Sequence, residues 1–321
     1  MHLLYYIIVT CFGLIFGSFF NVAIYRLPRH MSLGHRSQCP SCGEMIHWYD
    51  NVPVLSFLVL RARCRKCGLH ISWQYPLVEA STAVLFALTY WWSESVVPRM
   101  LGIPGGKPLQ PELFIGLVLV SVLIVVTGTD ITDGIIPNSA ILTGFVIIVP
   151  LVVALGLYRH QPGRIGISAA CALAGSAFFL SAGLIYGSLI MTPEELEPVV
   201  GAATAGDEPA GTEVRADVPV GSEVVGADED LEKPLMTGVG MGDVKLMFFT
   251  GLALGYFHWY FTFIQIFIAA LAGTIVAVPL LIFTDRGRKD PIPFGPFLAA
   301  GAIIAIFWGQ ALADLYIKLS R

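Results

Sequence analysis

Two kinds of side chain in this sequence could do chemistry: aspartates at the ends of apolar runs, and four cysteines in two close pairs. The stretch Gly238-Val239-Gly240-Met241-Gly242-Asp243-Val244-Lys245 is a glycine-rich turn ending in an acid, with a long apolar run directly after it. Glycines let a backbone approach a partner closely, so Gly240 and Gly242 are candidates for a turn that supports the acid, with Lys245 beside it. An acid where a membrane helix begins is costly and marks a functional site. Upstream, another apolar run ends Val125-Val126-Thr127-Gly128-Thr129-Asp130, followed by Ile131-Thr132-Asp133-Gly134-Ile135-Ile136-Pro137-Asn138. Two close carboxylates share a proton; one can activate water while the other donates to a substrate carbonyl. Their apparent pKa values then belong to the pair. Spacing alone does not choose between Asp130 and Asp133, and either could simply cap the next helix.

The cysteines form two knuckles, Cys39-Pro40-Ser41-Cys42 and Cys64-Arg65-Lys66-Cys67, with 21 residues between them. Each knuckle can present two thiolates to one tetrahedral ion, so together they predict a four-cysteine zinc site. The spacer slightly exceeds the usual window of about 15–20 residues, which a longer loop accommodates. Gly43 and Gly68 follow the second cysteine of each knuckle, where a tight turn is needed. Cys11 and Cys171 stand alone in apolar runs and read as small packing residues.

The elements that position these groups are membrane helices. Of 321 residues, 55% are hydrophobic and 13% charged, too apolar for an ordinary soluble domain. Apolar runs long enough to cross a bilayer predict an all-α polytopic membrane protein with about eight transmembrane helices. The expected spans are 3–25, 76–92, 113–129, 139–157, 165–191, 243–257, 260–283 and 293–317. The sixth and seventh come from splitting one stretch at Gly255-Tyr256-Phe257-His258-Trp259. The first span lacks a basic region before it and a cleavage site after it, so it reads as a retained helix. Residues 1–25 are then a first helix, 26–75 a small cysteine module, 76–191 four further helices, 192–237 an insertion and 238–321 the glycine turn with three helices.

Net charge of −4 conceals a segregation: seven of the 19 basic residues lie between Arg26 and Lys66, and 12 of the 23 acidic ones between Glu194 and Glu232. Basic loops stay cytoplasmic, which puts the cysteine module inside and the N-terminus outside. That rule also accounts for the module's charge without nucleic acid as a partner, and a cytoplasmic site argues against disulfides. Counting spans forward then brings Asp130 and Asp243 to the same cytoplasmic surface. The acidic insertion has no aromatic residue and no period, and is expected to be a disordered spacer.

Four motifs give the chain a specific resemblance. They are Gly17-Ser18-Phe19-Phe20-Asn21-Val22-Ala23-Ile24-Tyr25-Arg26-Leu27-Pro28; the two knuckles flanking Trp48-Tyr49-Asp50-Asn51-Val52-Pro53; Asp130 with Ile136-Pro137-Asn138; and Gly240-Met241-Gly242-Asp243-Val244-Lys245-Leu246. Tyr75-Pro76-Leu77-Val78-Glu79 fits the same pattern. With them the chain resembles the bacterial type IV prepilin peptidases, leader peptidases and N-methyltransferases of the GxGD aspartic class. The resemblance implies Asp130 and Asp243 as the catalytic pair, and places Asp133 in the variable part of the motif. It implies prepilin or pseudopilin substrates, a bacterial inner-membrane location, and a zinc module linked to N-methylation from S-adenosylmethionine. No glycine-rich nucleotide fingerprint assigns that cofactor any residues. Asn21 and Glu79 are polar groups near the same interface, placed either to assist or to pack helices. The insertion at 192–236 departs from the family's shorter connection. Three rival readings are a peptidase without methylation, a proton-coupled transporter with its acids near the bilayer midplane, and a membrane-anchored zinc adaptor.

Overall fold

A computed structural model describes residues 2–103, 109–190, 240–283 and 293–320. The acidic insertion, Gly238-Val239 and the basic Arg286–Lys289 loop lie outside these, so the expected spacer and its charge pattern are not described. The chain divides into a main unit, Met1–Ala177 with Gly242–Arg321, and a smaller one, Phe178–Met241. In the smaller unit the described residues are the last turns of a helix begun in the main unit, and Gly240-Met241.

The described residues form helices and turns with no strand. In chain order they are α1 (His2–Arg26), α2 (Leu55–Val59), α3 (Gln74–Ser95), α4 (Val97–Leu101), α5 (Leu113–Asp133), α6 (Asn138–Tyr158), α7 (Gly163–Ile190), α8 (Met241–Gly255), α9 (Trp259–Phe283) and α10 (Gly295–Leu319). Eight of them coincide with the eight expected spans, and the break between α8 and α9 falls where the apolar stretch was split. Six are long and apolar enough to cross a membrane by themselves: α1, α5, α6, α7, α9 and α10. The other two fall short for physical reasons. Helix α3 carries Glu79, Thr82, Thr89 and Ser93, all buried against neighbouring helices. Helix α8 has 15 residues, about 22 Å of helix against a hydrocarbon core of about 30 Å. It is buried almost all round from Leu246 to Gly255, so other helices rather than lipid surround it.

Close helix approach in lipid depends on small residues, because apolar burial gives no drive between helices. Gly13 and Gly17 lie one turn apart on α1, and a Cβ on either would meet the α3 backbone at 2.7 Å (Ala83 Cα) or 2.6 Å (Glu79 Cα). Helix α8 uses the same device against α7: Cβ atoms on Gly251 and Gly255 would meet Ala172 Cα at 2.9 Å and Cys171 Cβ at 2.7 Å. Gln265 on α9 then donates to Thr250 Oγ1 of α8 at 2.9 Å and to the Leu298 carbonyl of α10 at 3.3 Å.

The two ends of the main unit differ in chemistry. At one end Arg159 clamps Glu112 through both oxygens, at 2.8 and 2.9 Å, and Arg164 holds the Tyr256 and Phe257 carbonyls that close α8, each at 3.0 Å. Tyr6 stacks edge-on with Tyr90 at that same end of α1 and α3. At the other end lie the C-termini of α1 and α5, the N-termini of α3 and α10, and the candidate residues of the main unit.

Candidate active site

Helix α5 is apolar and buried until its last turns, where Thr129 and Asp130 are buried polar residues. It stops at Gly134, whose φ of +67° is the left-handed cap conformation that glycine adopts cheaply, with its N–H on the Asp130 carbonyl at 3.1 Å. The Asp130 side chain, 6% exposed, turns inward and accepts the Gly295 N–H at 2.9 Å on Oδ2. Asp133, one turn-fraction further on, points outward: it takes Arg29 at 2.9 Å and the Thr132 hydroxyl at 2.7 Å. The structure thus separates two aspartates that spacing left equivalent.

After Gly134 the chain runs through Ile135 and Ile136 to an extended Pro137, and α6 starts at Asn138. Ile136 is the joint of the site. A Cβ on Gly242 would lie 2.8 Å from Ile136 Cβ, and one on Gly295 would lie 3.4 Å from Ile136 Cδ1. The residue after Gly242 is Asp243, 9% exposed in the first turn of α8, where the helix dipole favours an acid. Lys245, on the same turn, donates to Asn138 Oδ1 at 2.6 Å. Asp130, Ile136-Pro137-Asn138, Gly242-Asp243 and Lys245 therefore form one cluster at the junction of α5, α6, α8 and α10. Gly240 precedes α8 as an exposed residue outside any helix.

Asn21 and Glu79 are not part of that cluster. Asn21 donates to the Gly17 and Tyr75 carbonyls, and Glu79 accepts the Val54 N–H at 2.7 Å on Oε2. Both tie the 26–75 segment to α1 and α3. Val54 stands at φ +60°, ψ −45°, with the Leu55 N–H returning to the Pro53 carbonyl at 2.6 Å. A β-branched residue there is a strained outlier, held by the carboxylate behind it. Arg26 belongs to the same anchorage. Buried at the end of α1, it donates to the carbonyls of Ser32, Leu33, His35 and Arg36.

Within the segment, both cysteine knuckles have one design. The N–H of Cys39 and of Cys64 returns to the Glu44 and Leu69 carbonyls, and Gly43 and Gly68 turn at φ +69° and +74°. The four Sγ atoms lie within 4.8 Å of one another, with Cys39 and Cys67 3.7 Å apart. A tetrahedral ion with metal–sulfur bonds of about 2.3 Å needs sulfurs about 3.8 Å apart, so the set fits a metal ion. The backbone N–H groups of Cys42 and Ser41 pull the Cys39 thiol down to about 6, toward the thiolate a metal requires.

Sequence reasoning missed Gly295, whose N–H meets Asp130, and the anchoring roles of Arg26 and Val54. Pro293-Phe294-Gly295-Pro296 was a visible signal, a proline–glycine punctuated helix start, but nothing in its spacing ties it to Asp130. Arg26 entered as a cytoplasmic charge and as part of the first motif, not as an anchor.

The comparisons with known proteins point to one family. Residues 11–93 match the bacterial peptidase A24 N-terminal domain, and residues 117–278 match the type IV leader peptidase family. A protein of Bacillus subtilis named prepilin leader peptidase/N-methyltransferase is 29% identical, aligned over 98% of both chains. One of the same name from Aeromonas salmonicida is 27% identical over 98% of this chain and 94% of its own. Another from Myxococcus xanthus is 38% identical over 51% of this chain and 45% of its own. No solved structure matches. A family match that covers half the chain and contains both buried aspartates identifies this multi-pass membrane protein as a member of the type IV leader peptidase family, a family of proteases.

Proposed function

We propose that this chain is a membrane aspartic endopeptidase that cleaves the leader of type IV prepilins or pseudopilins, with Asp130 and Asp243 as its catalytic pair. The observation that carries the reading is the cluster in which Ile136 packs against both Gly242, next to the buried Asp243, and Gly295, bonded to the buried Asp130. One carboxylate takes a proton from water as the oxygen attacks the scissile carbonyl carbon. The other gives its proton to the carbonyl oxygen, and collapse of the tetrahedral intermediate returns a proton to the leaving amine. Asp130 lies three residues from the end of α5 and Asp243 is the third residue of α8, which disfavours the midplane acids of a proton-coupled transporter. With the basic loop inside, this end of the helices faces the cytoplasm of the bacterial inner membrane. A substrate with a basic leader and an apolar stem would place its junction there. Gly240 and Gly242 let the turn shift to close the pair.

The second activity is N-methylation of the new amino terminus, with S-adenosylmethionine supplying the methyl group. Zinc is the ion for Cys39, Cys42, Cys64 and Cys67, where it would organise the module rather than take part in hydrolysis. The test is processing of a prepilin by Asp130→Asn, Asp133→Asn and Asp243→Asn. The first and third are expected to lose about 10²–10⁴-fold in rate, and the second to process normally. Processing that survives Asp243→Asn would sink the reading. A labelled methyl donor, followed onto cleaved substrate, separates the bifunctional enzyme from a peptidase alone.

A further inference from the structure

Resting on the peptidase reading, we propose that Gly295 is a positioning residue for hydrolysis: its N–H fixes Asp130 Oδ2, so Asp130 reacts through Oδ1. Three observations converge on this one atom. First, the opening turn of α10 has a single N–H directed at a side chain. Pro296 has none, and those of Phe297 and Leu298 return to the Phe294 carbonyl at 3.0 and 3.2 Å. The remaining one, on Gly295, meets Asp130 Oδ2 at 2.9 Å in a buried setting. Second, the position has no room for a side chain unless the carboxylate moves. A Cβ would lie 2.7 Å from Oδ2, closer than real Cβ contacts allow, and a tight 3.2 Å from Cγ. Gly295 has an ordinary helical place, so no left-handed backbone demands glycine there; the carboxylate does. Third, Oδ1 has no hydrogen-bond partner among the described residues, so it is the oxygen free for water or a proton.

This arrangement solves a problem the peptidase has. An aspartate has a two-fold rotor at its carboxyl group, and both oxygens are chemically alike. A buried N–H that holds one of them selects the other and sets its direction before substrate arrives. Small misplacements of a catalytic group are costly, about 10²-fold for 1 Å. In the reaction the bonds change as above; Gly295 neither gives nor receives a proton.

The experiment compares Gly295→Ala and Pro296→Ala in the full-length protein in membranes. It measures kcat and KM for prepilin cleavage, and methylation of a pilin peptide that already carries the mature amino terminus. For Gly295→Ala we expect kcat to fall about 10²-fold, with KM within about twofold and methylation retained. Pro296→Ala adds an N–H to the same turn without touching Asp130, and is expected to keep kcat. Full kcat in Gly295→Ala overturns the inference. So does equal loss of both activities, which would make glycine a folding requirement. So does an equal kcat loss in Pro296→Ala, which would trace the effect to the helix start in general. Asp130→Asn, assayed alongside, separates this result from the larger reading: if it still cleaves, the aspartate pair itself is wrong.

Discussion

Asp130 and Asp133 sit on the same last turn of α5, yet one is buried on a backbone N–H and the other is at the surface on Arg29. An exposed ion pair of that kind contributes about 0–1 kcal/mol, so Arg29→Ala should leave both folding and cleavage nearly unchanged. Glu79 is the contrasting residue. It is 7% exposed and accepts the Val54 N–H, and Val54 holds a conformation that β-branched residues avoid. Removing a buried acceptor costs about 1–3 kcal/mol. Glu79→Ala is therefore expected to loosen the 26–75 segment, read as faster limited proteolysis there, whereas Glu79→Gln keeps an acceptor and should behave close to wild type. Equal protection in all three proteins would show that the carboxylate does not hold this turn. The acids were visible in the sequence because charge is rare in apolar runs. Their directions were not, because a side chain's partner 165 residues away leaves no local pattern.

At the scale of elements, the cysteine module and the acid-bearing helices are distinct pieces of construction. The knuckles are local: each closes on its own backbone hydrogen bonds, and their C-x-x-C-G pattern was legible because metal ligation demands that spacing. What was not legible is how the module is seated. Its attachments are Arg26 on four carbonyls, Asn21 on Tyr75 and Glu79 on Val54. These come from α1 and α3; from α5 the segment takes the exposed Asp133–Arg29 pair. A division of labour follows. Cys64→Ser, or stripping the metal with a strong chelator, should take bound zinc from about one per chain to none, measured by atomic absorption. Methylation should fall with it, while prepilin cleavage persists because Asp130, Gly242-Asp243 and Gly295 rest on other helices. Parallel loss of both activities would mean that the module shapes the cleavage site as well.

Over the whole main unit, what holds the helices is close backbone approach at glycine rather than any excess of apolar contact. Hydropathy delivered all eight expected helices, including the break at Tyr256–His258, and a bilayer imposes its length on six of them. Hydropathy did not reveal that α8 is surrounded by other helices, because a buried helix and a lipid-facing one are equally apolar. The glycines carry that information, and they make opposite predictions on one pair of helices. Gly251 faces the α7 backbone, where a Cβ would meet Ala172 Cα at 2.9 Å and the Cys171 carbonyl at the same distance. Neither is a flexible side-chain end, so the helices themselves must part. Gly251→Val should lower the unfolding midpoint in detergent and reduce cleavage and methylation together, since α8 carries Asp243. Overpacking of this kind costs about 1–3 kcal/mol. Gly166, on α7, has nothing within 4 Å of its would-be Cβ. Alanine there adds no collision and is the better helix former by about 1 kcal/mol, so Gly166→Ala should leave the midpoint unchanged or raise it. Equal midpoints for Gly251→Val and wild type would place α8 away from α7 and remove the packing argument for how Asp243 is held.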